Sequence, residues 1–124
     1  MSASSACVQY PSAQILGVSI HPGQLQLTLT LAIDTVVLQA IMFDRALTTM
    51  LQCTEQQLKE ATSEPVAFTR VMCDALEGIN CSVRLQPRQS SATARERGHE
   101  KDPKVVSLVP HEPLMPWAQI AAAL

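Results

Sequence analysis

Large aliphatic residues recur at every second position between Leu25 and Ile33, with smaller or polar residues between them. The five are Leu25, Leu27, Leu29, Leu31 and Ile33. Because successive side chains of a β-strand point to opposite faces, this spacing puts all five on one face and the intervening residues on the other. The pattern predicts a half-buried strand, and a single such strand must belong to a larger sheet or barrel to bury its apolar side.

Four other segments are typical of strands. Residues 14–20 predict the first strand, in which Gly17 marks a bulge or sharp bend. Residues 36–43 are apolar on both faces, as in a central strand that is covered on both sides. Residues 80–86 resume the alternation, and residues 105–109 form the last strand before a proline. The sequence therefore predicts five strands.

Helix signals fill the interval between the third and fourth strands. Asp44 ends a strand, and its carboxylate is expected to accept hydrogen bonds from the first turn of a helix over residues 45–51. Thr54 and Gln57 have the spacing of a capping box, and Pro65 suits the first turn of a third helix. The third helix has one apolar face, formed by Phe68, Val71, Met72, Ala75, Leu76 and Ile79.

The order of these elements predicts a fold. A mainly β, five-stranded OB-fold barrel places its helical insert between strands 3 and 4, as here. An alternative is a small α+β meander with the helices on one face. At 124 residues the chain has room for one domain. We assign residues 1–13 to a flexible leader, 14–110 to the barrel with a mobile loop at 87–104, and 111–124 to a tail or short helix.

Positive charge is concentrated near the predicted loop. Residues 84–104 carry six of the nine Lys and Arg residues against three carboxylates. The six are Arg84, Arg88, Arg95, Arg97, Lys101 and Lys104. In OB-folds the loop between strands 4 and 5 is one of two that hold oligonucleotides. These cations are our candidates for contact with a nucleic-acid backbone, and the alternative is that they only solvate a spacer.

Several classes of site lack their usual signatures. The four cysteines include no Cys-x-x-Cys pair, the three histidines are far apart, and the four glycines are never clustered. No nucleophile elbow surrounds a serine. We therefore expect no metal, no cofactor and no enzyme. The sequence shows no signal peptide and no apolar run of about 18 residues, so we expect a soluble, intracellular protein.

Residues 25–58 resemble a known family. This segment, LQLTLTLAIDTVVLQAIMFDRALTTMLQCTEQQL, is similar to the single-strand DNA-binding OB-folds of the replication protein A large subunit and its telomeric and recombination relatives. In that family an apolar strand ending in Phe-Asp leads into a helix and then into a Ser/Thr-capped segment with Leu. Here those places hold Phe43 with Asp44, Leu47, Leu51, and Thr54 to Leu58.

The resemblance extends to later strands, and two family features are missing. INCSVRLQPR at 79–88 and KVVSLVP at 104–110 resemble the following strand and the last one, so the match covers roughly residues 24–110. Stacking aromatic residues are scarce, since Phe43 and Phe68 occupy predicted core positions, and the zinc ribbon of some members is absent.

The resemblance implies a nuclear adaptor in DNA repair, recombination, or telomere and replication maintenance. Such a protein binds other genome-maintenance proteins and contacts single-stranded DNA weakly, with no membrane and no small-molecule substrate. The alternative is a protein-interaction scaffold fragment with no nucleic-acid binding. The tail presents Leu114, Trp117, Ile120 and Leu124. These residues either cap the barrel or anchor a partner, and the resemblance favours the partner, because the family uses the helix after the barrel for subunit assembly.

Overall fold

A computed structural model describes residues 7–20, 26–87 and 102–124 of the chain. In these ranges the strands and helices run in the following order: β1 (Val8–Ile20), β2 (Gln26–Ile33), β3 (Val36–Phe43), α1 (Asp44–Leu51), α2 (Glu55–Thr62), α3 (Pro65–Leu76), β4 (Asn80–Gln86), β5 (Lys104–Pro110) and α4 (Trp117–Ala122).

The strands close into a barrel in the order β1-β2-β3-β5-β4. β1 pairs in antiparallel fashion with both β2 and β4, and β3 meets β5 in parallel, with Ile41 opposite Lys104. This closure confirms the predicted five-stranded OB-type barrel with helices between its third and fourth strands. An open meander would leave β1 without β4 as a neighbour.

β1 begins at Val8, six residues before the predicted start of the domain. Its first residues pair with β4, with Val8 opposite Leu85 and Tyr10 opposite Val83. Residues 8–13 therefore belong to the barrel and not to a leader. Their partners in β4 lie 68 to 77 residues away in the sequence, so a local pattern did not reveal the strand. The predicted irregularity near Gly17 is confirmed, because the register with β2 shifts between Ile15 and Gly17.

The core is built from the inward sides of the strands and one face of each long helix. In β2 the alternation is complete, and Leu27, Leu29 and Leu31 have no exposed surface. Phe68 of α3 is also fully buried, and α3 packs against β1. Such burial stabilises by roughly 1.5–3 kcal/mol for each large side chain.

β3 differs from its prediction as a strand covered on both sides. Val36 and Val37 are 55% and 61% exposed, and Phe43 is only half-buried. Among the described residues, therefore, the first part of β3 is not covered on both sides. Phe43 was expected in the core, and the structure places it on the outer face of the strand.

The helix boundaries follow local capping signals. Thr54 Oγ1 accepts a hydrogen bond from Gln57 N at 3.1 Å, and Gln57 Oε1 accepts one from Thr54 N at 2.9 Å, so the predicted capping box is confirmed. Asp44 differs slightly, because it is the first helical residue and not the N-cap. Its carboxylate accepts a hydrogen bond from Arg45 N at 2.9 Å.

Candidate nucleic-acid interface

The outer face of β2 and β3 is uncharged. Its cross-strand pairs are Gln26 with Phe43, Thr28 with Ile41, Thr30 with Gln39 and Ala32 with Val37. None of these eight residues carries a carboxylate, so the face does not repel phosphate groups. Polar side chains and one aromatic ring thus lie on the face with which OB-folds bind oligonucleotides. We call this face the β2–β3 face.

Beside Phe43, Lys104 supplies a positive charge at one end of the β2–β3 face. Lys104 Nζ lies 5.8 Å from the centroid of the Phe43 ring, within the range of a cation–π contact. Lys104 is exposed at the start of β5, and Phe43 ends β3. The parallel β3–β5 pairing brings them together from positions 61 residues apart in the sequence. An aromatic ring and a cation are the two kinds of group that contact the bases and phosphates of a single strand.

Arg84 and Lys104 are the two candidate cations that the structure describes. Arg84 is exposed on β4, opposite Gln9 and Ser107, whereas Lys104 pairs with Gln86. Since Arg84 and Gln86 share a side of β4, the two cations are diagonal neighbours on the outside of the barrel. The other four predicted cations, Arg88, Arg95, Arg97 and Lys101, lie outside the described residues.

The C-terminal tail packs on the barrel. Ile120 has no exposed surface and belongs to the core, while Leu114 and Trp117 are half-buried against it and Leu124 is 40% exposed. The four residues predicted to bind a partner are therefore split. Ile120 packs in the core and fixes α4 on the barrel, whereas Leu114, Trp117 and Leu124 are at least partly exposed and accessible to a partner.

Two clefts flank Trp117. One, of about 550 Å³, lies between the end of α1 and the segment before α4, with Met50 and Met115 in its lining. The second, of about 330 Å³, separates α2 from α4 and is lined by Ala61 and Leu124 among others. Together they form a partly apolar surface on the side of the tail.

A cluster of polar groups links β1 and β4 to the residue that follows β5. Ser82 Oγ donates a hydrogen bond to the carbonyl oxygen of Pro11 at 3.0 Å, and His111 Nε2 lies 3.1 Å from the same oxygen and 3.2 Å from Ser82 Oγ. The hydroxyl proton of Ser82 is directed at a backbone carbonyl. The three contacts together connect β1, β4 and the residue that follows β5.

The cysteines are separate thiols. Cys81 is buried, and desolvation raises the pKa of its thiol to about 11. Burial also raises the pKa of Cys53, and burial together with Glu77 raises that of Cys73. In the described ranges no three His, Cys, Asp or Glu residues are grouped so as to hold a metal ion, and no helix there is long and apolar enough to cross a membrane.

Comparison with models of known protein families and with curated proteins gives no match to this chain.

The β2–β3 face was only partly visible in the sequence. The cation Lys104 was predicted, but its neighbour Phe43 was assigned to the core because strand 3 is apolar on both sides. The polar residues between the leucines of β2 were the signal for the face. In a barrel with one buried side, those positions must lie outside.

Proposed function

We propose that this protein is an OB-type adaptor of genome maintenance that binds single-stranded DNA weakly through the β2–β3 face while it holds partner proteins. The observation that carries the proposal is the Lys104 ammonium group over the half-buried ring of Phe43. Nuclear localisation belongs to the same proposal. The whole proposal is supported by the strand order of the barrel, by the absence of charge on the β2–β3 face, and by the family resemblance of residues 24–110.

Weak binding is what this surface should produce. Stacking of one base on an aromatic ring contributes about 1–3 kcal/mol, and each phosphate contact adds a salt-dependent term. The β2–β3 face has one ring, and few aromatic residues occur elsewhere in the chain. Affinity in roughly the micromolar range or weaker is therefore expected, because a single ring and a few cations give little binding energy.

Fluorescence anisotropy with a labelled oligo(dT) at several salt concentrations tests DNA binding. Phe43→Leu keeps an apolar side chain but removes the ring, so it should weaken binding by about 1–3 kcal/mol. Lys104→Ala should weaken binding and reduce the dependence of log K on log salt by about 0.7, the slope for one single-strand phosphate. A variant with Arg95, Arg97, Lys101 and Lys104 all changed to Ala should lose most of the salt dependence.

Lys59→Ala provides the matched control. Lys59 is an exposed lysine on α2 that pairs with Glu55 at 3.7 Å, and it is not part of the β2–β3 face. This variant should bind like the unchanged protein. DNA binding is refuted if no binding occurs at low salt, or if Phe43→Leu and the fourfold variant bind as tightly as Lys59→Ala does.

A protein-interaction scaffold without DNA binding is the second candidate. The clefts beside Trp117 favour it, because they present apolar surface next to a half-buried aromatic side chain. Leu124→Glu places a charge in one cleft at an exposed position. A partner that co-purifies with the unchanged protein and with Phe43→Leu, but not with Leu124→Glu, would support the scaffold role if DNA binding is also absent.

A further inference from the structure

Trp117 lies between two clefts that are separate from the β2–β3 face. It lines both the cleft of about 550 Å³ at the end of α1 and the cleft of about 330 Å³ between α2 and α4. Met50 and Met115 line the larger cleft, and Ala61 and Ala121 line the smaller one. Methionine side chains are unbranched and adapt to apolar groups of different shapes. An occupant that fills both clefts needs two apolar groups, one on each side of the indole ring.

Each of these clefts carries a carboxylate. Glu112 lines the larger cleft and Glu60 the smaller one, and both residues are exposed. Neither lining includes a lysine or an arginine. Lys59 pairs with Glu55 at 3.7 Å, and because a helix turns about 100° per residue, this pair lies on the side of α2 opposite Ala61. The clefts therefore attract cationic groups and repel phosphate groups.

The acidic character extends over the elements around the clefts. α1, α2 and residues 111–124 together carry four carboxylates against two Lys or Arg residues. One of the two cations, Arg45, lines a separate cleft beside Asp44. By contrast, the five strands carry Arg84 and Lys104 and no carboxylate. A nucleic acid and a basic protein segment are therefore attracted to different surfaces of the molecule.

The clefts lie away from the points where the undescribed residues join the described ones. Residues 1–6 and 88–101 join strands at the Lys104 end of the β4–β5 pair. The larger cleft adjoins the other end of β5, at Pro110, roughly 20 Å away along the strand. Residues 21–25 join β2 where β3 enters α1, whereas the clefts adjoin the far end of α1 and the side of α2. The residues that line the two clefts all belong to the described ranges.

We propose that the clefts beside Trp117 bind a basic segment of a partner protein. Two apolar side chains of the segment occupy the clefts, and its lysine or arginine residues lie beside Glu60 and Glu112. This inference names the kind of partner for the adaptor role, so it rests on that part of the proposed function and not on DNA binding. Burial of the apolar groups favours the complex, and the exposed carboxylates add an attraction that salt screens.

The emission of Trp117 reports directly on these clefts, because the chain has one tryptophan. The probes are synthetic peptides without tryptophan that carry two leucines flanked by lysines, with the leucines at i,i+2 for an extended segment or at i,i+3 or i,i+4 for a helix. The best of them should shift the emission to shorter wavelength as the indole leaves water, and its dissociation constant should rise with salt. A counterpart with glutamate in place of lysine should bind about tenfold more weakly.

Variants of the cleft residues test the charge complementarity. Glu60→Gln and Glu112→Gln should each weaken binding of the lysine peptide by about two- to fivefold. Glu64→Gln is the matched control, since Glu64 is exposed before α3 and lines neither cleft. Ala121→Lys places a cation in the smaller cleft and should weaken binding of the lysine peptide while strengthening that of the glutamate peptide. Gln119→Lys adds the same charge on the opposite side of α4 and should change neither.

The proposal is overturned if no lysine peptide changes the Trp117 emission up to about 1 mM, a concentration that reveals even weak binding. Equal binding of the lysine and glutamate peptides also contradicts it, as do equal losses in Glu112→Gln and Glu64→Gln. An emission that changes with the concentration of the protein alone would indicate a second copy in the clefts. Phe43→Leu should bind the lysine peptide like the unchanged protein, and oligo(dT) should leave the Trp117 emission unchanged. Loss of DNA binding and loss of the peptide response are therefore separate results.

Discussion

Cys81 shows how the environment of one residue depends on the closed barrel. It points inward from β4, where its neighbours across the strands are Ala13 of β1 and Pro110 of β5, and it has no exposed surface. The thiolate is poorly solvated there, so burial raises the pKa of the thiol to about 11 from its usual 9.0. The neutral thiol is the form that the folded barrel accommodates.

The raised pKa of Cys81 predicts a loss of stability at high pH. Above pH 9 the unfolded chain releases the thiol proton while the folded chain retains it until about pH 11. The free energy of unfolding should therefore fall between these values, by up to about 2–3 kcal/mol. Urea unfolding at a series of pH values measures this dependence.

Cys81→Ala and Cys7→Ala make the pH test specific. Cys81→Ala should lose the extra decline above pH 9, whereas Cys7→Ala should keep it, because Cys7 is exposed. Equal slopes for the two variants would show that other groups cause the decline.

At the scale of elements, the break between α1 and α2 is encoded by adjacent signals. α1 ends at Leu51, and its C-cap residue Gln52 has a left-handed backbone with φ of 55° and donates its N–H to the carbonyl oxygen of Thr48. Two residues later, Thr54 and Gln57 form the capping box that starts α2. The chain therefore changes direction at this point without requiring a tertiary contact.

The capping box makes a measurable contribution to stability. Thr54→Ala removes the acceptor for the N–H of Gln57 and should lower the free energy of unfolding by about 1 kcal/mol. Thr49→Ala is the control, because Thr49 is exposed within α1 and its hydroxyl bonds only to the carbonyl of Arg45. It should change stability by less than about 0.5 kcal/mol. Denaturant midpoints that fall equally for both variants would contradict the capping role.

At the scale of the whole molecule, α4 is part of the folded barrel. Ile120 lies in the same core cluster as Leu47 and Leu58 of the helical insert. The sequence left two uses of the tail open, and the structure shows its central residue packed inward. Removal of the tail would therefore disturb the core as well as any partner surface.

Two substitutions in α4 and just after it separate these roles. Ile120→Ala should lower the free energy of unfolding by about 2–4 kcal/mol, because it leaves a cavity in the core. Leu124→Ala changes a side chain that is 40% exposed and should cost less than about 0.5 kcal/mol. Thermal or chemical unfolding measures both. A small effect of Ile120→Ala would mean that α4 does not pack as described.

The sequence alone determined the features that depend on local geometry. Alternating leucines specify one buried side of β2, the Thr54 capping box starts α2, and Pro65 starts α3, since each signal acts within a few residues. The order of these elements was enough to predict the five-stranded barrel, and Lys104 of the candidate site was also identified.

Only the tertiary structure decided which apolar side chains are buried. Phe43 and Val37 lie on the outer face of β3, Ile120 is in the core, and β1 starts at Val8 because β4 pairs with it. Burial and strand pairing depend on residues distant in the chain, so a local pattern cannot show whether an apolar side chain will be covered. The same long-range pairing brings Lys104 to Phe43.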